Sequence, residues 1–297
     1  MRILHVTDTH LGIERFYRGG PPGWRRAHDH RDLLTKVLAP AMEGAYDLVI
    51  LSGDVFDRSS PPPEAVDEAV ALLGAAARAV PVVAIPGNHD RTGIVRHLGA
   101  AAGVILCDEP EQVRVGDLRV ACVPWYRESA DWASAAAKAV GEGADLLVAH
   151  QSFDGSRVPG FVFRARSSAE TVAASQIPPG VPLVLSGHVH TRQAFPLGHT
   201  TVVHAGAMER TAAVEADEVK GVVEVHFGAT PTWRFVDVPA RPMRVVSEPD
   251  PPAELVEGAL VHLRGSACTV ETERAIVQRG GRVSPWSRPS RQARLFA

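Results

Sequence analysis

Residues 47–57 (DLVILSGDVFD) are the stretch from which the fold can be predicted. The run of Leu, Val and Ile is typical of a short strand buried on both faces of a sheet. Gly53 permits a sharp turn, so Asp54 is predicted to lie where a central strand ends, at the edge of a crevice. A carboxylate there is costly unless a cation meets it. The stretch therefore predicts an α/β sheet with an ion site at the end of this strand.

Six further polar residues stand, like Asp54, just after apolar runs: Asp8, His10, Asn88, His150, His188 and His190. Open α/β sheets bind ligands at the carboxyl ends of their strands, so we expect these side chains to converge there. Oxygen and imidazole donors without thiolates suit Mn²⁺, Fe²⁺ or Zn²⁺ better than a zinc finger. Seven donors exceed what one catalytic ion needs. With one bridging carboxylate they suit two ions, the usual clamp for displacement at phosphorus.

The overall composition is that of an ordinary globular chain. Its 297 residues, 45% of them hydrophobic, allow one large α/β domain with an appendage, or two domains. The net charge of −3 argues against a wholly basic surface but not against a local basic groove. We expect no signal peptide and no membrane span, because no apolar leader or long apolar run is found. Three scattered cysteines favour a reduced, cytoplasmic setting.

Each metal motif is weak when taken singly, since a lone Gly-Asp or Gly-His is common by chance. Five motifs occur in order, each after an apolar strand: Asp8-x-His10, Gly53-Asp54, Gly87-Asn88-His89-Asp90, His150 and Gly187-His188-x-His190. This set resembles the calcineurin-like metallophosphoesterase superfamily over about residues 1–238. The narrower resemblance is to the SbcD/Mre11-type DNA repair exonucleases. It rests on DTHLG at 8–12, GDVFD at 53–57, PGNHD at 86–90 and GAMER at 206–210.

The resemblance implies a fold and a metal centre. The fold class is α/β, a four-layer αββα sandwich in which two mixed β-sheets are flanked by helices. Two divalent metal ions are implied, and Mn²⁺ is the metal that the family usually uses. The first ion would be held by Asp8, His10, Asp54 and His190. The second would be held by Asp54, Asn88, His150 and His188, so that Asp54 bridges the two ions.

The resemblance also implies two catalytic residues that do not bind metal. His89 would face the scissile phosphate, stabilise the transition state and protonate the leaving oxygen. Asp90 would orient His89, as a carboxylate orients a catalytic imidazole. Asp57 either supports the site or is a solvated residue before the next helix. Arg58 is read as a structural residue.

A basic and aromatic loop follows the first metal motif. Residues 15–18 (RFYR) and 24–26 (WRR) interleave arginines with aromatic side chains, as in surfaces that track phosphates and stack bases. A solvated loop is the alternative. The candidate nucleic-acid contacts are Arg15, Arg18, Arg25 and Arg26. Residues 157–166 (RVPGFVFRAR) have a similar character.

The composition changes near Pro239, where five prolines between 239 and 252 mark a boundary. We predict a metallophosphoesterase (nuclease) domain over 1–238. Residues 239–297 would form a linker and a truncated cap-like segment with a basic tail. The family's full nucleases carry a larger DNA-capping domain and a helical segment that docks an SMC-like ATPase. The resemblance thus implies DNA, an SMC-like ATPase subunit and a homodimer as partners, although this C-terminal region is short.

The sequence predicts a two-metal-dependent phosphodiesterase, a DNA repair exonuclease/endonuclease that hydrolyses DNA phosphodiester bonds with a metal-activated water. Two alternatives stay open. One is a general metallophosphoesterase with the same metal core, either a cyclic nucleotide phosphodiesterase or a protein phosphatase. The other is a DNA-end-binding scaffold with little turnover. The presence of every ligand and of His89 argues against the scaffold, since a degenerate site should have lost some of them.

Overall fold

The computed structural model describes residues 1–90, 95–158, 168–249 and 254–285. In chain order its strands and α-helices are β1 (Arg2–Val6), α1 (Arg26–Met42), β2 (Leu48–Ser52), α2 (Pro63–Ala77), β3 (Val82–Ile85), α3 (Arg96–Ala102), β4 (Ile105–Leu106), β5 (Glu111–Val115), β6 (Leu118–Val123), α4 (Ser129–Val140), β7 (Leu146–Ala149), β8 (Leu183–Ser186), β9 (Gln193–Leu197), β10 (Thr200–His204), β11 (Gly221–His226), β12 (Thr232–Asp237), β13 (Met243–Val246), β14 (Leu260–Leu263), α5 (Val270–Gln278) and β15 (Arg282–Val283). The sequence predicts most of these elements to within a few residues, because apolar periodicity is clear in buried strands.

Two six-stranded sheets lie at the centre of the molecule. The first has the order β12-β11-β1-β2-β3-β4; the run from β1 to β4 is parallel, and β11 and β12 are antiparallel to their neighbours. The second has the order β5-β6-β7-β8-β10-β9, with a parallel centre and an antiparallel strand at each edge. Both sheets are therefore mixed.

The two sheets pack face to face, and helices cover their outer faces. Along β2, Leu48 and Ile50 pack against the second sheet, whereas Val49 and Leu51 pack against α1 and α2. Helix α4 covers the second sheet through Trp132. Every residue of β2 is buried. Burial of each of its four aliphatic side chains stabilises the fold by about 1.5–3 kcal/mol. The predicted four-layer αββα sandwich is confirmed.

The strands of both sheets deliver their carboxyl ends to one edge of the sandwich. His150, directly after β7, donates from Nδ1 to the carbonyl of Ser52 at the end of β2, at 2.7 Å. The N–H of Gly187, directly after β8, donates to the carbonyl of Ala149 at 3.1 Å. Loops that follow strands of different sheets are therefore held side by side.

Several elements differ from the sequence prediction: α1 begins earlier, and β9 and the C-terminal β13, β14, α5 and β15 are not predicted. Helix α1 begins at Arg26, although its apolar spacing is visible only from Asp32 onward. Its first turn is held by a buried ion pair between Arg26 and Asp29 at 2.9 Å, which no hydrophobic pattern reveals. The sequence does not predict strand β9, because an edge strand that contains Pro196 lacks apolar alternation. Across the described ranges, none of the helices has the length and apolar character needed to cross a bilayer.

The C-terminal residues form a small parallel sheet, β13-β14-β15, with α5 packed on it. So small a core needs outside support. The sheet docks on the loop after β1: Tyr17 packs against Met243 and Leu260, and Arg18 exchanges two backbone hydrogen bonds with Val283 at 2.7 and 2.9 Å.

The proposed boundary at 239 falls between β12 and β13. The tail arginines at 288, 291 and 294 lie outside the described residues.

Candidate metal centre

The structure brings the seven predicted ligands together at the edge where the parallel strands end. Each follows a central strand directly or within a few residues: Asp8 and His10 follow β1, Asp54 follows β2, Asn88 follows β3, His150 follows β7, and His188 and His190 follow β8. Asp8, His10, Asp54 and His150 are buried at 0–2% exposure, while Asn88, His188 and His190 are partly exposed. Four ligands are thus enclosed and three face the opening.

A first group of donor atoms surrounds one point. His190 Nε2 lies 3.2 Å from His10 Nε2 and 3.5 Å from Asp8 Oδ1, and His10 Nε2 lies 4.0 Å from the same carboxylate oxygen. Ligand atoms about 2.0–2.2 Å from a metal ion lie about 3–4 Å from one another. These three donors therefore fit a single ion.

A second group lies beside the first. Asn88 Oδ1 lies 2.9 Å from His188 Nδ1 and 3.1 Å from His150 Nε2. His150 Nε2 in turn lies 3.3 Å from Asp54 Oδ2. Asp54 also lies within 4.8 Å of donor atoms on Asp8. Asp54 thus stands between the two groups, where a bridging carboxylate would be needed.

The electrostatics of the site favour positive charge. Burial disfavours the charged form of each group, but the mutual attraction of the carboxylates and histidines outweighs it. Hydrogen bonding to His190 and the nearby histidines hold the pKa of Asp8 well below its usual range, and His150 lowers the pKa of Asp54 to about 2. In return, Asp54 raises the pKa of His150 to about 9, and Asp8 and Glu215 raise the pKa of His190 to about 10. A carboxylate that stabilises the protonated form of a neighbouring histidine also stabilises a divalent cation that takes the place of the proton.

The backbone is strained at four of the seven ligands. Among the described residues other than glycine, φ is positive at Asp8 (50°), His10 (45°), Asp54 (50°) and His188 (74°). The left-handed conformation costs about 1–2 kcal/mol for a residue with a Cβ atom. Such strain persists where the surroundings impose it, and it clusters at functional sites. The backbone is therefore bent to aim these side chains at the shared edge.

Gly87 stands where any side chain would collide with a ligand. A Cβ atom built there would lie 2.2 Å from Asp54 Oδ1 and 2.5 Å from the Asp54 backbone nitrogen. Neither atom can withdraw, because Asp54 Oδ1 accepts the N–H of His89 at 2.8 Å and the turn is tightly packed. The glycine of the Gly-Asn-His motif is thus required by close packing rather than by its own conformation.

We expect Gly87→Ala to displace Asp54 and to abolish binding of divalent metal. Overpacking of this kind costs about 1–3 kcal/mol or more, so a lower melting temperature should accompany the loss. The matched control is Gly228→Ala, because no heavy atom lies within 4 Å of a Cβ built at that position. Calorimetric metal titration and thermal unfolding of both variants test the expectation. Normal metal binding by Gly87→Ala would show that Asp54 tolerates the shift.

His89 is oriented by a backbone carbonyl. Its Nδ1 donates to the carbonyl of Asp57 at 2.5 Å, so Nε2 faces the site, 4.0 Å from Asp54 Oδ2. The imidazole is 40% exposed, which leaves it open to a substrate. A ring nitrogen of His89 also lies within 4.8 Å of donor atoms on His10 and Asp54, which is close enough for His89 to bind metal itself. The metal content of a His89 variant therefore distinguishes a general acid from a ligand.

The expectation that Asp90 orients His89 is not met. The buried carboxylate of Asp90 accepts three backbone N–H groups, from Val55 at 2.9 Å, Phe56 at 3.0 Å and Gly87 at 3.2 Å. These bonds tie the turn after β2 to the turn after β3. Asp90 therefore shapes the backbone that carries the ligands, and it acts on His89 only through that backbone.

Carboxylates stand behind three of the ligand histidines. The Nδ1 of His10 lies 3.5 Å from Asp57, the Nε2 of His188 lies 2.9 Å from Glu170, and the Nδ1 of His190 lies 3.0 Å from Glu215. Glu170 and Glu215 lie at hydrogen-bond distance, and such partners fix the ring and raise the basicity of the ligating nitrogen. Asp57 lies beside His10 without a hydrogen bond to it and acts on it by charge. Of the two readings of Asp57, the geometry favours the one in which it supports the site.

Sequence reasoning missed Glu170 and Glu215. Neither belongs to a motif. Glu170 lies in a turn, and Glu215 lies at the end of a short 3-10 helix (Ala213–Glu215). Glu215 is buried and also binds the ammonium group of Lys220. The only available signal was general, namely that metal-bound histidines need a partner on the other ring nitrogen. Arg58 pairs with Glu14 at 2.9 Å on the surface, and its structural role stays a prediction.

The basic and aromatic loop is only partly available to a ligand. Arg15 and Arg25 are exposed and, with Phe16 at 69% exposure, border a cavity of about 470 Å³. Arg18 is exposed but pairs with Glu273 at 2.7 Å. Residues 159–167, which include most of the second candidate segment, lie outside the described residues.

Arg26 does not fit the role of a phosphate contact. Its side chain is 1% exposed and pairs with Asp29 at 2.9 Å and Glu209 at 3.0 Å. A buried, doubly paired guanidinium holds the loop to the rest of the fold. The candidate contacts are therefore reduced to Arg15, Arg18 and Arg25.

Comparisons with known proteins agree with this geometry. Residues 1–192 match the family described as Calcineurin-like phosphoesterase. The DNA double-strand break repair protein Mre11 of Haloferax volcanii is 29% identical over 224 residues, which cover 73% of this chain and 47% of that protein. A subunit of the nuclease SbcCD from Rhodobacter capsulatus is 36% identical over 93 residues, which cover 30% of this chain and 22% of that protein. The chain thus spans less than two thirds of the length of these curated relatives.

A solved structure gives a likeness of fold. A dimetal phosphatase from Danio rerio aligns over 80% of this chain and 97% of its own, with a TM-score of 0.51 and 11% sequence identity. At that identity the likeness shows the fold alone. It agrees with two mixed sheets flanked by helices.

Proposed function

The chain belongs to the calcineurin-like phosphoesterase family, and from that premise we infer that it is a DNA repair exonuclease/endonuclease of the SbcD/Mre11 type. The family membership makes it a hydrolase of phosphoester bonds with candidate ligands for divalent metal. The finer assignment to DNA is our proposal. The pair of donor groups on either side of Asp54 supports hydrolysis of a phosphodiester. The choice of DNA as the substrate is supported by the exposed basic and aromatic loop and by the names of the curated relatives.

The proposed ion sites divide the ligands as the donor groups do. Asp8, His10 and His190 would hold the first ion, Asn88, His150 and His188 the second, and Asp54 both. This mixture of carboxylate, amide and imidazole donors suits Mn²⁺, and Fe²⁺ or Zn²⁺ fit the same donors. When bound, two such ions generate a nucleophile from water near neutral pH and offset charge on the phosphoryl oxygens.

His89 is proposed to supply the proton to the leaving oxygen. The carbonyl of Asp57 holds one proton on Nδ1, so Nε2 is the atom at which a proton enters or leaves. That nitrogen faces the crevice from a partly exposed ring, within reach of a substrate. The acceptor that orients the ring belongs to the backbone, and the ring also makes an edge contact with His10 at 5.1 Å between centroids.

The basic loop supports DNA as the substrate. Although burial acts against it, His10 and, to a smaller extent, Arg15 hold the pKa of Asp57 below its usual range, so the loop is within electrostatic reach of the metal centre. Phe16 presents an exposed ring next to this arginine, and such rings stack on bases. The names of the curated relatives, which are repair and nuclease names, point the same way.

We expect Arg15→Ala combined with Arg25→Ala to weaken DNA binding and to flatten its salt dependence. Each phosphate contact contributes about 0.7–0.9 to the slope of log K against log salt, so the slope should fall by about 1.4–1.8. Arg78→Ala combined with Arg114→Ala is the matched control, since both arginines are exposed and lie on other elements. Binding titrations at several salt concentrations measure the slope. Equal losses in the two double variants would make the effect one of net charge alone.

The proposed function is tested by a metal-dependent assay on three classes of substrate. We expect EDTA to abolish activity and Mn²⁺ to restore it best, with DNA cleaved in preference to cyclic nucleotides and phosphopeptides. Undiminished phosphodiesterase activity after rigorous metal removal would contradict the mechanism. Preference for either small substrate would instead favour a general metallophosphoesterase. DNA binding without turnover in the presence of Mn²⁺ would favour a scaffold.

The proposal extends to partners and setting. DNA is the proposed partner, and the resemblance adds an SMC-like ATPase subunit and a homodimer. The Rhodobacter relative is, by its name, one subunit of a nuclease. The setting that we propose is the cytoplasm, where the cysteines at 107, 122 and 268 would stay as the free thiols described in the structure.

A further inference from the structure

Glu170 meets one of the ligand histidines on the side away from the proposed metal. Its Oε1 lies 2.9 Å from His188 Nε2, while His188 Nδ1 faces the amide oxygen of Asn88 at 2.9 Å. Because an ionised carboxylate only accepts hydrogen bonds, the ring proton belongs on Nε2. The lone pair of Nδ1 is then directed toward the second group of donors.

Glu170 is itself held in place from two sides. The indole N–H of Trp125 donates to the same Oε1 at 3.0 Å. The side-chain amide of Gln151 donates to the backbone carbonyl of Glu170 at 2.6 Å and to that of Tyr126 at 2.9 Å. Gln151 is fully buried and directly follows the ligand His150. The residue that follows His150 therefore holds together the two segments that carry Tyr126 and Glu170.

The surroundings of Glu170 differ from those of Glu215, its counterpart behind His190. Glu215 is 2% exposed and its charge is matched by the buried Lys220. The side chain of Glu170 is 34% exposed and lies at the opening of the site. Replacing Glu170 therefore removes a charge near the second donor group without leaving a buried cation unpaired.

We propose that Glu170, held by Trp125, is a positioning residue for the second ion and sets the affinity of that ion independently of the first. The inference rests on the proposed two-ion site. The carboxylate fixes the ring of His188 and raises the basicity of its Nδ1, which strengthens binding at the second donor group. His188 reaches the first donor group only through its backbone N–H, which donates to Asp8 at 3.1 Å. Glu170 contacts the side chain of His188, so the affinity of the first donor group does not depend on it.

The test is a calorimetric titration of the metal-free protein with Mn²⁺. The wild-type chain should show two binding events. Glu170→Gln and Glu170→Ala should weaken one of them by about 10–100-fold and leave the other unchanged, as expected for loss of a partner behind a ligand histidine. Trp125→Phe, which removes the N–H donor, should weaken the same event by a smaller factor. Glu142→Gln is the control, since it removes one exposed negative charge far from these contacts.

Each outcome of the titration either supports or overturns the proposed role of Glu170. Two events of wild-type affinity in Glu170→Gln would overturn the inference and leave the proposed function standing. Equal weakening of both events, together with a lower melting temperature of the metal-free variant, would also overturn it by making Glu170 a structural residue. A wild-type chain that binds no Mn²⁺ would contradict the proposed function itself. Weakening of one event in the Glu170 variants and in Trp125→Phe, but not in Glu142→Gln, supports the inference.

Discussion

Replacing Asp54 by Asn is expected to reduce the occupancy of both metal ions and to abolish turnover. Asp54 is 2% exposed, lies 3.3 Å from His150 and shares a donor cluster with Asp8. Asn keeps the shape and one oxygen but removes the charge that both groups of donors share. Elemental analysis of the purified variant should therefore find fewer than one ion per chain, against two in the wild-type protein.

The contrast for this prediction is His190→Ala. His190 contacts Asp8 and His10, which belong to the first group of donors. Its loss should lower occupancy of the first ion and largely spare the second. Two ions per chain in Asp54→Asn would show that this carboxylate does not bridge. Loss of both ions in His190→Ala would show that the two sites fill only together.

His89→Ala is expected to cleave DNA more slowly by a factor of about 10²–10⁴, the usual contribution of a general acid. Because Nδ1 is bound to the backbone of Asp57 and the ring is partly exposed, its removal should leave the seven ligands in place. Turnover and metal content should be measured on the same preparation. DNA affinity should be unchanged.

The nature of the substrate provides the control for His89. An activated ester with a good leaving group needs little protonation, so His89→Ala should hydrolyse it at closer to the wild-type rate than DNA. Loss of metal from His89→Ala would make this residue a ligand, in line with its closeness to His10 and Asp54. A wild-type rate on DNA would exclude it as the acid.

The sequence was sufficient for the sheet and for the donors that follow its strands. Residues 48–52 are buried throughout, and the run of Leu, Val and Ile within them is the composition that a strand covered on both faces needs. Asp54, Asn88 and His150 each come shortly after such a strand, so the topology of an α/β sheet is enough to predict that they meet. Local sequence carries this information because strand and ligand are neighbours along the chain.

Only the tertiary structure shows which carboxylates contact the ligand histidines His188 and His190. Glu170 and Glu215 reach His188 and His190 from a turn and from a short 3-10 helix, neither of which has an apolar pattern. Their contacts span 18 and 25 residues along the chain. Arg26 has the same charge as its exposed neighbour Arg25, yet it is buried because Asp29 and Glu209 meet it there. Hydrogen bonds and ion pairs between distant loops leave no periodic trace in a sequence. Which side chains pair in this way depends on the packing of the folded chain.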